Sequence, residues 1–210
     1  MSTMRPLSST QERKLLDFID DRFLDLTRNY KKRSDPSSTV QTLSSYLAET
    51  HPLLSLVLQI PPVPPSAPLR TTLLLRLTGE VMQSITGYHP DIETLPQLLD
   101  WLNELDRGWL AVLRSQAWDT DMHTGTTNAA PDPTIASMSQ TERTRLRSLL
   151  ISGTGSLEEW LLRLDTPAGQ SYELILESLG LQQAFDDLFT GTLAEMGSLD
   201  GSMNVPQGML

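Results

Sequence analysis

Aspartates at four-residue steps near the N-terminus are the residues of this chain best spaced for chemistry. Asp17, Asp21 and Asp25 recur within a segment of helical periodicity, so they share one face of a helix. Carboxylate oxygens are the ligands that Mg²⁺ prefers, and Mg²⁺ also binds the oxygens of substrate phosphates. The spacing therefore makes these three aspartates candidate metal ligands for an enzyme that acts on a diphosphate substrate.

A second acidic patch near the C-terminus contains Asp186, Asp187, Thr190 and Glu195. The first patch contains the string Asp-Asp-Arg-Phe-Leu-Asp at Asp20, Asp21 and Asp25. With the second patch it resembles the metal-binding motifs of class I isoprenoid synthases, and that resemblance implies a Mg²⁺-dependent enzyme. The sequence departs from the family's pattern because Ala194 stands where its glutamate is expected, and Glu195 is turned about 100° away on a helix. The alternative interpretation, which we favour, is a solvated acidic face that keeps the helix soluble.

The three histidines stand apart in the sequence. His51 and His89 each precede a proline, and His123 follows Asp119 and Asp121 in an Asp-x-Asp-x-His string that could bind a metal weakly. Ordering a flexible loop around an ion costs conformational entropy, and the sequence shows no further ligand nearby. We therefore interpret all three histidines as turn or loop residues.

Other catalytic signatures are missing from the sequence. The chain has no cysteine, which excludes disulfides, thiolate catalysis and cysteine-based zinc sites. It also has no Gly-x-Ser-x-Gly nucleophile elbow, and Gly153–Ser156 is predicted to be a turn between helices. We predict no catalytic residue, no cofactor and no metal ion, and Asp17, Asp21 and Asp25 remain the only metal candidates.

A basic cluster ends the first predicted helix and is a candidate for binding a partner. It consists of Arg28, Lys31, Lys32 and Arg33. Cations at a helix C-terminus complement the helix dipole, but such a cluster could also contact phosphate or an acidic protein.

A proline-rich segment is the second partner-binding candidate. Pro61, Pro62, Pro64 and Pro65 lie in an Ile-Pro-Pro-Val-Pro-Pro string. Prolines at this density predict an extended connector of polyproline type, which can bind an aromatic groove or serve as a strap between helices.

Composition and charge limit the classes of function. The 210 residues carry a net charge of −10, which repels nucleic acid and anionic membrane surfaces. No apolar run approaches the ~18 residues of a membrane span, and the N-terminus lacks the apolar core of a signal peptide. We expect an intracellular protein, cytoplasmic or nuclear, and the Ser/Thr/Pro-rich loops suggest a eukaryotic source.

Leucines that recur at three- and four-residue steps predict an all-α fold without strands. Ser9 with Glu12, and Ser139 with Glu142, have the spacing of capping boxes at helix starts. The predicted helices cover about 11–31, 38–49, 53–58, 67–86, 95–118, 141–152, 157–164 and 170–196, the last broken near Gly180.

Four of these helices are expected to form an antiparallel bundle over residues 9–118. A flexible linker follows at 119–137, then C-terminal helices at 138–197 that pack on the bundle or form a small second unit, and a loose tail at 198–210. By elimination, the predicted function is a non-enzymatic helical subunit or adaptor that binds a protein partner. The open alternatives are the Mg²⁺-dependent enzyme and a chromatin- or nucleic-acid-associated subunit, and the oligomeric state is left open.

Overall fold

The structure is a computed structural model that describes residues 5–126, 138–166 and 170–203. Within these residues no helix combines the length and the apolar character that crossing a bilayer requires. The predicted linker residues 127–137 and the tail residues 204–210 lie outside the described part.

The predicted all-α fold is confirmed, because helices dominate the described chain. Four long helices come first: α1 (Ser9–Lys31), α2 (Leu43–Leu58), α3 (Ser66–Ile85) and α4 (Leu95–Leu113), the last preceded by a 3₁₀ turn at Ile92–Thr94. The remaining helices are α5 (Gln140–Leu161), α6 (Tyr172–Ser178), α7 (Gln182–Asp186) and α8 (Thr190–Met203).

Cross-helix contacts show that the first four helices alternate in direction. Asp20 pairs with Arg76 and Glu12 contacts Ser66, so α1 and α3 run parallel. The indole of Trp109, in the second half of α4, donates to Thr78 Oγ1 at 3.0 Å. Just after α4, the Gln116 carbonyl accepts from Arg70 near the start of α3, so these two helices are antiparallel. The helices α2 and α4 are parallel, as the contacts of the candidate site show below. This is the up-down-up-down order of a four-helix bundle, as predicted.

Two predicted helix breaks are wrong. The segments on either side of Pro52 form the single helix α2, and α5 continues through Gly153 where a turn between helices was predicted. A Cβ on Gly153 would lie 2.3 Å from Met82 Cε, so this glycine allows α5 to approach α3 closely. Tertiary packing thus outweighs the local cost of a glycine in a helix, which is about 1 kcal/mol.

Capping boxes are present at the starts of α1 and α5, as predicted, but the box at α1 uses other residues than the predicted ones. Ser139 and Glu142 form the predicted capping box at the start of α5. The box at α1 is made by Ser8 and Gln11, one residue before the predicted pair of Ser9 and Glu12. Glu12 is free for a tertiary contact because Gln11 takes the capping role, and its carboxylate accepts from the buried Ser66 hydroxyl at 3.2 Å.

The C-terminal helices pack on the bundle and share its apolar core. Helix α5 lies along α3, and α8 lies along α4. The hydroxyl of Thr192 donates to Asp106, and Arg114 binds Glu195 at 2.7 Å. The last predicted helix, over 170–196, is divided into α6, α7 and α8. Helix α8 extends to Met203, into the range predicted as a loose tail.

A short β-hairpin follows α4 and is the main departure from the predicted all-helical chain. Strand β1 (Ala117–Asp119) pairs antiparallel with β2 (Thr124–Thr126), with Trp118 opposite Gly125. The pattern predicted helix up to Trp118 and a flexible linker from Asp119 onward. The helix ends at Leu113 instead, and Ser115 then adopts a positive φ of 53° that turns the chain back.

Candidate functional site: a histidine–carboxylate cluster

Three side chains that can bind a metal converge beside the hairpin. His51 Nε2 lies 2.9 Å from Glu104 Oε2, and His123 Nδ1 lies 3.0 Å from Glu104 Oε1. One potential ligand atom from each residue falls within 4.8 Å of the other two, and in the described part of the chain no other set of three His, Asp or Glu side chains does so. We call this set the His₂Glu cluster.

Helices α2 and α4 bring His51 and Glu104 together by running side by side in the same direction. Gln97 Nε2 donates to the Ser44 carbonyl at 3.3 Å, seven residues before the contact between His51 and Glu104 on both helices. One turn beyond Glu104, a Cβ on Gly108 would lie 2.9 Å from two methyl carbons of Leu58. Glycine at 108 therefore permits the close helix approach on which the first half of the cluster depends.

The hairpin supplies His123 from the turn between β1 and β2. Asp119 Oδ1 accepts the backbone N–H groups of Asp121 and Met122 at 2.9 and 3.0 Å, which folds the turn. His123 then adopts a φ of 48°, a left-handed conformation that is uncommon for residues other than glycine. This conformation accompanies the placement of the His123 ring beside Glu104.

Close packing on α4 holds the base of the hairpin. A Cβ on Gly125 would lie 2.8 Å from Ala111 Cβ and 2.3 Å from Gln116 Oε1. Only a residue without a side chain lets β2 approach α4 this closely. The hairpin therefore lies against the same helix that carries Glu104.

Burial distinguishes the centre of the cluster from its rim. The Glu104 side chain is 8% exposed, whereas the side chains of His51 and His123 are 43% and 42% exposed. Burying a carboxylate is costly unless partners compensate its charge. His51 Nε2 supplies a hydrogen bond to the Glu104 carboxylate, and a cation shared with the two histidines would supply positive charge.

The contact between His123 and Glu104 is short but is not a hydrogen bond. Nδ1 and Oε1 are both shielded from solvent, and neither has a hydrogen-bond partner among the described residues although they lie 3.0 Å apart. The two atoms are close enough to pair, but their orientation does not fit N–H donation. A metal ion bound by both atoms would satisfy these two buried, neighbouring ligand atoms.

The donor set has the composition of transition-metal sites in proteins. Imidazole nitrogen suits zinc, copper, iron and nickel, and two histidines with one carboxylate are found in open zinc and non-haem iron sites. Tetrahedral Zn²⁺ with bonds of ~2.0–2.1 Å places its ligand atoms about 3.3 Å apart. The longest separation in the cluster, within 4.8 Å, would shorten by about 1.5 Å at most, and the 2.9 and 3.0 Å contacts would lengthen slightly.

The outer ring nitrogens of the two histidines have no protein partner in the described residues, since only His51 Nε2 and His123 Nδ1 make polar contacts. Metal-binding histidines in tight sites usually donate this second N–H to a carboxylate or carbonyl group. About two-fifths of each histidine side chain is exposed to solvent. This arrangement favours an exchangeable ion over a permanently bound one.

The predicted metal candidates on α1 do not converge. Asp17, Asp21 and Asp25 are exposed along the helix, and they are not among the residues whose ligand atoms come within 4.8 Å of one another. Asp25 lies 3.6 Å from Arg28 on the same helix. The second patch is also engaged elsewhere, because Glu195 binds Arg114.

The basic cluster is divided between structural and exposed residues. The Arg33 guanidinium stacks 4.4 Å from the Tyr30 ring centroid and its Nε donates to the Gly87 carbonyl, which ties the end of α1 to the turn after α3. Arg28, Lys31 and Lys32 are exposed.

The proline segment is not an extended polyproline strand, which corrects that prediction. The chain bends at Pro62 and turns at Pro64 and Pro65, and the Ser66 N–H bonds back to the Val63 carbonyl at 2.9 Å. Pro61 is partly buried with Pro62, whereas Pro64 and Pro65 are exposed. The turn connects α2 to α3.

The His₂Glu cluster is not predicted from the sequence, which places the histidines in turns or loops. His51 lies inside α2, not in a turn, and His123 contacts Glu104 instead of forming a site with Asp119 and Asp121. His89 does lie outside the helices, as predicted, with Nε2 3.9 Å from an Asp165 oxygen. One signal was available: Glu104 falls within the apolar stripe of α4, where a charged residue requires a partner.

Comparison with known proteins supplies no relative for this chain, since no protein family, no curated protein and no solved structure matches it.

Proposed function

We propose that this protein binds a divalent transition-metal ion at the His₂Glu cluster, with Zn²⁺ as the best-fitting ion. The observation that carries the proposal is the convergence of two imidazole nitrogens on one buried carboxylate, at 2.9 and 3.0 Å. The three residues come from a bundle helix, a second bundle helix and a hairpin. A carboxylate that is 8% exposed is stabilised by positive charge beside it, and a metal ion at this point would supply that charge.

The ligand chemistry selects the class of ion. Two nitrogen donors and one carboxylate suit zinc, cobalt and iron(II), whereas Mg²⁺ and Ca²⁺ prefer oxygen ligands alone. Three protein ligands leave at least one coordination position for water or for an exogenous ligand. This set is characteristic of exchangeable or catalytic zinc sites, because closed structural sites use four protein ligands.

Calorimetric titration of the full chain with Zn²⁺ tests the proposal. We expect one ion per chain, and we expect no binding of Mg²⁺ at the same concentration. Co²⁺ provides a coloured replacement whose visible absorption reports nitrogen and oxygen coordination directly. Failure to bind Zn²⁺ or Co²⁺ at one equivalent would refute the proposal.

The three histidines provide matched variants for this titration. His51→Ala and His123→Asn each remove one ligand, and both are expected to abolish stoichiometric binding. His89→Ala removes the histidine that lies outside the cluster and should bind as the wild type does. Equal losses in all three variants would indicate nonspecific histidine binding and contradict the assignment.

The functions inferred from the sequence stay predictions beside this proposal. An adaptor role has exposed apolar side chains in its favour, such as Ile151 at 58% and Leu162 at 73%. Single exposed apolar residues are normal on soluble proteins, so they rank below a converged ligand set. Calorimetric titration of the chain with Mg²⁺ and pyrophosphate tests the alternative of a Mg²⁺-dependent enzyme that binds a diphosphate at Asp17, Asp21 and Asp25.

A further inference from the structure

We infer that the metal ion acts as a clamp that holds the β1–β2 hairpin onto helices α2 and α4, so that the order of the hairpin depends on metal occupancy. This inference rests on the proposed function and adds regulation of the same site. Its basis is that three separate elements each supply one ligand.

The hairpin has little intrinsic stability. Each strand is three residues long, and among the described residues the two strands pair only with each other. An isolated two-stranded hairpin is marginal in water. Its base is anchored, because Ala117 and Trp118 are each 9% exposed and Gly125 packs on α4.

The tip of the hairpin depends on His123. Thr120, Asp121 and Met122 are exposed, and Met122 is 69% exposed. His123 adopts an unfavourable positive φ and reaches Glu104 through a 3.0 Å contact that lacks hydrogen-bond geometry. In the described residues this contact is the one polar link from the tip to the bundle, and without a metal ion it is weak.

A bound ion changes this balance because it joins His123 to two ligands on rigid helices. Opening of the hairpin would then remove one ligand of three, so metal release and hairpin opening are linked. This linkage is reciprocal. Closure of the hairpin raises the metal affinity by some factor, and bound metal raises the equilibrium constant for closure by the same factor. We expect the hairpin to be held against α2 and α4 when Zn²⁺ is bound and to open more often when Zn²⁺ is removed.

Hydrogen exchange of the full chain, followed by mass spectrometry, tests the clamp. Peptides that cover 117–126 are compared with peptides from α3, which carries no ligand, in Zn²⁺ and in chelator. With free Zn²⁺ at 100 times its dissociation constant, opening that requires metal release is suppressed about 100-fold. We expect slowing of this order in the hairpin, rising linearly with free Zn²⁺, and much less in α3.

Two variants separate the clamp from general stabilisation. His123→Asn keeps a residue type that tolerates positive φ but removes the imidazole, and it should lose the zinc-dependent protection of 117–126. His89→Ala should retain that protection in full.

Each failure has its own meaning. Stoichiometric Zn²⁺ binding with unchanged exchange in 117–126, or with equal slowing in the hairpin and α3, would overturn the clamp and leave metal binding intact. Absence of Zn²⁺ binding would overturn both.

Discussion

Substitution of Glu104 by glutamine is the sharpest perturbation of the proposed site. The change keeps the size of a side chain that is 8% exposed and removes the charge between His51 and His123. An amide oxygen is a poor ligand for Zn²⁺ compared with a carboxylate. Loss of even an outer partner of a metal site costs 10–100-fold in affinity, so we expect loss of this ligand to cost at least about 100-fold.

The expected size of the effect follows from mass action. Zn²⁺ at 100 times its dissociation constant stabilises the wild-type fold by about 2.7 kcal/mol. In a chain of this length, 1 kcal/mol corresponds to about 2–4 °C, so the wild-type melting temperature should rise by roughly 5–11 °C. At the same Zn²⁺ concentration Glu104→Gln gains at most about 0.4 kcal/mol, or less than ~2 °C.

Thermal unfolding followed by circular dichroism, with and without Zn²⁺, measures both shifts. His89→Ala serves as the control and should reproduce the wild-type shift, because its ring contacts Asp165 and not the cluster. The proposed metal site is refuted if Glu104→Gln keeps more than half of the wild-type shift in melting temperature. It is also refuted if the His89 variant loses as much as the Glu104 variant.

Two further predictions concern buried polar groups away from the cluster. Arg70 is 1% exposed and burial lowers its pKa to about 10. Within the described residues its guanidinium makes one hydrogen bond, from Nη1 to the Gln116 carbonyl at 2.7 Å. Arg70→Met removes this costly buried charge and should stabilise the fold by about 1–2 kcal/mol in urea unfolding, net of the lost bond; destabilisation would contradict this. Burial raises the pKa of Tyr46 well above its ordinary value of 10.0, so the folded state holds this proton more tightly than the unfolded chain. The stabilisation is complete below pH 10 and is lost as pH rises further, by about 1.4 kcal/mol at pH 11; urea unfolding of Tyr46→Phe should show a shallower alkaline decline, and an equal decline would exclude Tyr46 as a contributor.

Local sequence rules predicted the helices and missed where several of them stop. Leucine periodicity depends on neighbours three and four residues apart, so α1, α3 and α4 are recognisable from the sequence alone. The sequence predicts a new helical turn that opens at Pro52 and a helix that stops at Gly153, but α2 and α5 continue through these residues. The helix survives at Gly153 because it packs against Met82 on another helix, and no local rule contains that contact.

The hairpin is an element that local sequence patterns do not predict, because tertiary contacts stabilise it. The residues of β1 and β2 do not alternate between apolar and polar, and β1 has no β-branched residue, so the sequence predicts no strand. The hairpin forms because Asp119 folds the turn and Gly125 lets β2 lie on α4. Burial of Trp118 against the bundle adds the apolar contact that the short strands lack.

By itself the sequence determined the fold class and the acidic charge. It also contains the three histidines, and it places one glutamate, Glu104, among the apolar residues of α4. Only the tertiary structure decided that His51, Glu104 and His123 meet. Their separations of 53 and 19 residues follow no local periodicity. Their meeting depends on the parallel course of α2 and α4, on the close approach at Gly108 and on a hairpin folded back over α4. Contacts of this kind are set by packing of the whole chain, because the free energy that holds them comes from distant apolar surfaces.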